Sequence, residues 1–98
     1  MNTLIEVMIK SNQIKIQGHA KYAEFGKDIV CAGVSTLLQT LITSMEHLTT
    51  DKIKYEISPG MADIHFRDLS EQGKTLIGSF FIGVSMISNE YPNHVRIV

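Results

Sequence analysis

The segment Gly18-His19-Ala20-Lys21-Tyr22-Ala23-Glu24-Phe25-Gly26-Lys27-Asp28-Ile29-Val30-Cys31-Ala32 marks the point where the hydrophobic period of the chain changes. Before it, Ile14 and Ile16 alternate with Gln13, Lys15 and Gln17, the two-residue period of a half-buried strand. After it, Val30, Val34, Leu37, Leu38, Leu41, Met45 and Leu48 recur at helical spacing and form one apolar stripe. Residues 20–29 hold no sustained period and include Gly26, so they read as a loop between strand and helix. Asp28 is available as the N-cap, and the helix should end near Thr49.

Working outward, Ile5, Val7 and Ile9 alternate with Glu6, Met8 and Lys10, which predicts a strand over Leu4 to Lys10. Ser11-Asn12 turns this strand into the run from Gln13 to His19, making a β-hairpin. Beyond the helix, strands are expected over Ile53 to Ile57 and Ala62 to Arg67, joined by a tight turn at Ser58-Pro59-Gly60. Asp68 and Glu71 have the spacing of a capping box, with Ser70 as the alternative cap. A second helix then runs to about Asn89 with Ile77, Phe80, Phe81, Val84 and Ile87 inward. Tyr91-Pro92-Asn93 stops it, and Val95, Ile97 and Val98 form a last short strand. The order β-β-α-β-β-α-β implies an α+β fold, a mainly antiparallel sheet with two packed helices.

The chain has 98 residues and 44% hydrophobic content, enough for one core and too little for two. Nine Lys and Arg against ten Asp and Glu leave a net charge of −1, so there is no basic field to attract nucleic acid. No N-terminal targeting pattern is visible, and no stretch reads as the roughly 18 apolar residues of a membrane span. A cytoplasmic protein is expected, and its single cysteine should stay a reduced thiol.

That cysteine is placed to do chemistry. Cys31 falls just inside the expected helix start, and His19 ends the preceding strand. A thiol attacks as thiolate, which the first turn of a helix stabilises through unpaired N–H groups, while a nearby imidazole accepts the proton. The N–H groups of Cys31 and Ala32 would then serve as oxyanion donors, and small Ala32 and Gly33 would leave space for a peptide.

The run Gly18-His19-Ala20, then Gly26, then Asp28-Ile29-Val30-Cys31-Ala32 and Val34-Ser35 closely resembles the signature of the ribosomal-processing cysteine protease family, Prp. Chain length, element order and the Glu90-Tyr91-Pro92 stretch are also similar to that family. The resemblance implies a single cysteine protease domain over residues 1–98, with Cys31 as nucleophile, His19 as general base and an intervening loop that moves when substrate binds. It further implies a cytoplasmic homodimer that removes the N-terminal extension of bacterial large-subunit ribosomal protein 27, cutting after phenylalanine.

Several neighbours have both a chemical and a structural reading. Asp28 either orients His19 or only caps the helix. Ser35, one turn after Cys31, either hydrogen-bonds the thiol or substrate or bonds back to the helix. Gly26 is a loop hinge or an ordinary turn glycine. Tyr22 and Phe25 either line a substrate groove or fold over it as a lid, or else pack locally. His47, His65 and His94 show no ligand spacing, so no metal is expected, and the glycines form no phosphate loop, so no nucleotide cofactor is expected either. A non-catalytic, ribosome-associated interaction module is the alternative function. A thiol-redox protein lacks its second cysteine.

Overall fold

The computed structural model describes residues 4–18 and 25–98, with the backbone alone at residues 25–28. The elements follow the expected order: β1 (Ile5–Ile9), β2 (Gln13–Gln17), α1 (Phe25–Leu48), β3 (Ile53–Ser58), β4 (Met61–Phe66), α2 (Glu71–Glu90) and β5 (Val95–Ile97). The five strands form one sheet in the order β3-β4-β2-β1-β5. Three of its pairings are antiparallel, and β5 lies parallel to β1.

Register explains the core. Val7 opposes Ile16, Ile14 opposes Ile64, Ile16 opposes Ala62, and Ile5 opposes Val95, so the alternating apolar residues of four strands share one face. The crossovers β2-α1-β3 and β4-α2-β5 leave antiparallel neighbours in opposite directions, so a common hand brings both helices to that face. Val30, Val34, Leu38, Leu41, Ile42 and Met45 of α1 join Phe80 and Val84 of α2 over it. Gly83 lets α2 approach α1, since a Cβ there would stand 2.8 Å from Leu37 Cδ2.

Some sequence expectations need correction. Leu48 continues the helical stripe but is 67% exposed, because α1 has by then run past the sheet, while Ile42 is buried in its stead. Phe81 is exposed rather than inward. The stretch Ile29–Leu48 does reach the length and mean hydropathy, 1.3, of a membrane span. Its apolar stripe is nonetheless occupied by the sheet, which is the arrangement of a core helix.

The N-terminus of α2 is capped by Ser70, not by an Asp68–Glu71 box. Ser70 Oγ accepts from the Gly73 N–H at 3.1 Å and donates to Asp51 Oδ2 at 2.7 Å, while the Ser70 N–H donates to Asp51 Oδ1 at 2.9 Å. Asp68 stands at φ 54°, in the left-handed region, where it turns the chain from β4 toward the cap. The two Ser70 hydrogen bonds hold the Asp51 carboxyl below the usual carboxylate range.

The helices leave one strand uncovered. Tyr55 and Ile57 of β3 share the helix-facing side with Ile64 and Ala62, yet they are 45% and 53% exposed. The edge of the sheet therefore presents apolar side chains beside the helix layer.

Candidate active site

Cys31 projects from α1 where that uncovered edge begins. It is half-buried and lines an open cavity of about 180 Å³. The floor is apolar, with Ile5, Ile16, Val34, Leu38 and Ala62 all buried. The rim comes from Ser35 on α1 and from the β3–β4 hairpin through Ile57, Ser58, Gly60 and Met61. No charged side chain is among these described lining residues.

Gly18 reaches the same cavity from the end of β2. Its N–H donates to the Gly60 carbonyl at 2.9 Å, and its φ of 99° is a conformation that favours glycine. A Cβ at Gly18 would also collide with the Leu4 carbonyl oxygen. Two requirements thus select glycine immediately before His19. His19 itself lies outside the described residues, as do Ala20 and Tyr22.

The start of α1 differs from the sequence reading. Phe25, Gly26, Lys27 and Asp28 form its first turn rather than part of a loop. Gly26 is consequently a helical residue here, not a loop hinge, and Asp28 lies inside the helix instead of capping it. Periodicity overlooked this turn because Gly26, Lys27 and Asp28 contribute nothing to the apolar stripe. The side chains of Phe25 and Asp28, and hence their proposed roles, lie outside the described residues.

The earlier start also moves Cys31 and Ala32 beyond the first turn, so their N–H groups belong to the helical ladder and are not spare oxyanion donors. Ala32 is exposed beside Cys31. Gly33 instead faces α2, where a Cβ would stand 3.1 Å from Ile87 Cδ1, so its small size serves helix packing rather than peptide access. Ser35 is exposed and shares the cavity with Cys31, one helical turn away.

The remaining histidines stand apart from this cavity. His47 Nδ1 lies 2.9 Å from the Thr43 carbonyl in the last turn of α1. His65 is on the polar face of the sheet, with Nε2 3.1 Å from Asp63 Oδ1. There the Gln13 amide donates to Asp63 at 2.9 Å and holds its carboxyl below the usual range, with His65 adding to the effect. His94 precedes β5, and its carbonyl accepts from the Ile5 N–H at 2.8 Å.

Sequence reasoning missed Ile57, Gly60 and Met61. The sequence placed Ile57 only at the end of an expected strand, and nothing in its spacing shows that the helices stop short of β3. Only the strand order brings the β3–β4 turn beside Cys31.

The family model of cysteine protease Prp matches residues 4–96. A ribosomal processing cysteine protease Prp of Mycoplasma genitalium is 31% identical over 96 residues, covering 96% of this chain and 94% of that protein. The protein of that name from Staphylococcus aureus strain Mu50 is 28% identical over 91 residues, covering 90% and 86%. The crystal structure of a ribosomal processing protease Prp from Staphylococcus aureus, in complex with a substrate peptide, superposes with a TM-score of 0.84 at 20% identity. That alignment covers 97% of this chain and 96% of the other, and it shows the same fold.

Proposed function

The chain belongs to the cysteine protease Prp family, and from that premise we propose that it removes the N-terminal extension of bacterial large-subunit ribosomal protein 27. The cut falls on the carboxyl side of phenylalanine, and the enzyme works in the cytoplasm as a homodimer. The observation that carries this reading is the position of Cys31 in an open apolar cavity that Gly18, the residue before His19, also lines. The ribosomal-processing names of the curated relatives and the substrate peptide held by the solved relative support the substrate assignment.

In the proposed mechanism the Cys31 thiol gives its proton to His19, and Sγ attacks the scissile carbonyl. Collapse of the tetrahedral species breaks the C–N bond, and His19 returns the proton to the leaving amine. Water, deprotonated by His19, then hydrolyses the thioester and restores the thiol. With the Cys31 and Ala32 N–H groups held in the helix, the Ser35 hydroxyl is a donor on the described side of the cavity for the developing oxyanion.

The homodimer reading rests on α2. Phe80 is consumed by the core, but Phe81, Ile82 and Met86 stand 46%, 62% and 67% exposed on the side of α2 away from it, with Ile82 and Met86 one helical turn apart. Apolar side chains grouped in this way suit a self-complementary contact.

Incubation with the extended ribosomal protein 27 of the same organism, followed by mass measurement, tests the function. One new terminus directly after a phenylalanine in the extension is expected, and it should be absent with Cys31→Ala. An intact substrate under conditions where Cys31 is alkylated rapidly would overturn the substrate assignment.

A further inference from the structure

The net charge of −1 hides a local concentration of positive charge. Lys52 and Lys54 lie at the start of β3 and Arg67 directly follows β4, and with Asn12, His65 and Asp68 they line an open hollow of about 510 Å³. Lys54 stands opposite His65 in the ladder, and Lys52 and Arg67 leave it one position beyond the Ile53–Phe66 pair. The Phe66 N–H donates to the Asn12 carbonyl at 3.0 Å, which brings the β1–β2 turn against the same hollow. This is the opposite end of the β3–β4 hairpin from the turn at Gly60 that rims the Cys31 cavity.

Lys52, Lys54 and Arg67 are exposed, and among the described residues none of them forms an ion pair. The neighbouring carboxylates are already engaged, Asp51 by Ser70 and Asp63 by Gln13 and His65. Asp68 is the single carboxylate among the described lining residues. Cations gathered on adjacent strands repel one another, and an anion lying between them removes that repulsion.

We propose that this end of the sheet is a docking surface for the phosphate backbone of RNA. The choice of RNA as the source of phosphate rests on the reading of the chain as a protease of a ribosomal protein. Phosphate contacts need only donors and positive charge, which Lys52, Lys54, Arg67 and the Asn12 amide supply. A protein partner would need apolar anchors at the centre of its contact. The one apolar side chain here, Phe66, is 6% exposed and belongs to the core. Side chains two positions apart on a strand are separated by about 7 Å, so Lys52 and Lys54 can reach successive phosphates of one RNA strand. The hollow and the Cys31 cavity share no described lining residue, so docked RNA leaves the cavity open to a peptide.

The test is fluorescence anisotropy of a labelled RNA hairpin with the whole chain. Wild-type affinity should fall roughly 20- to 40-fold between about 50 and 200 mM salt, the loss expected when three phosphates are neutralised. Lys52→Gln, Lys54→Gln and Arg67→Gln should each flatten the salt dependence by about one phosphate, and the triple variant should bind at least about tenfold more weakly. Asp68→Asn should tighten binding, and Lys15→Gln, on the same sheet face but outside the hollow, should leave it unchanged. The triple variant should keep the wild-type circular dichroism and the wild-type kcat/KM on a short peptide. Unchanged RNA affinity in the triple variant, or an equal loss in Lys15→Gln, would overturn the proposal. Tighter binding of a glutamate-rich peptide than of RNA at the same salt would also overturn it, assigning the face to an acidic protein. RNA binding is read without peptide substrate, so a wild-type chain that binds RNA as expected and cleaves nothing would overturn the protease reading alone.

Discussion

Gly18 donates its N–H to the Gly60 carbonyl across 2.9 Å, so the end of β2 is fastened to the turn that rims the cavity of Cys31. Gly18→Ala meets both a φ of 99° and the Leu4 carbonyl. Holding a side chain in such a conformation costs about 1–3 kcal/mol, and the clash adds to this. Urea denaturation should show a loss of at least that size, and the activity of the folded fraction should also fall. An unchanged unfolding midpoint would contradict the anchoring role.

Cys31→Ala should abolish peptide cleavage. Because the thiol is only half-buried, its removal should leave thermal unfolding close to wild type. His19→Ala should retain the fold and lower kcat/KM by about 10²–10⁴-fold, the usual contribution of a positioned acid–base group. Slower alkylation of Cys31 in His19→Ala would tie the histidine to the thiolate, whereas a change in KM alone would make it a binding residue.

Asp51 links folding to pH. Its carboxyl is held below the ordinary range chiefly by the Ser70 backbone N–H, with the Ser70 hydroxyl next. A depressed folded-state pKa contributes stability above the unfolded value, near 3.8, and that contribution is lost as pH falls through the folded value. The difference in melting temperature between wild type and Asp51→Asn should therefore be largest near neutrality and shrink below about pH 4. Ser70→Ala removes the cap itself and should cost about 1 kcal/mol at neutral pH.

The outer face of α2 provides the test of assembly. Phe81→Lys combined with Met86→Lys should convert a dimer to monomer in sedimentation velocity at micromolar concentration. Both side chains are exposed, so the circular dichroism of the monomer should remain that of the folded chain. A wild-type protein that sediments only as monomer would remove the homodimer reading.

Hydrophobic periodicity alone determined the seven elements and their order, because strands and helices bury residues at different spacings. The Gly18-His19-Ala20 and Asp28-Ile29-Val30-Cys31 patterns singled out Cys31 and His19 through their resemblance to a known family signature, which periodicity does not carry. The beginning of α1 escaped it, since a turn that adds nothing to the buried stripe leaves no periodic trace. The Ser70 cap was one of two local possibilities, and a residue distant in sequence, Asp51, completes it. Strand order was decided only in three dimensions. Pairing β5 with β1 and leaving β3 at the opposite edge depends on how the two crossovers pack over a shared core. That packing covers β1, β2 and β4 but stops short of Tyr55 and Ile57, opening a cavity whose walls come from residues far apart in the chain. Sequence spacing records which face of a strand is apolar, whereas the tertiary arrangement determines whether a helix covers that face or leaves it open.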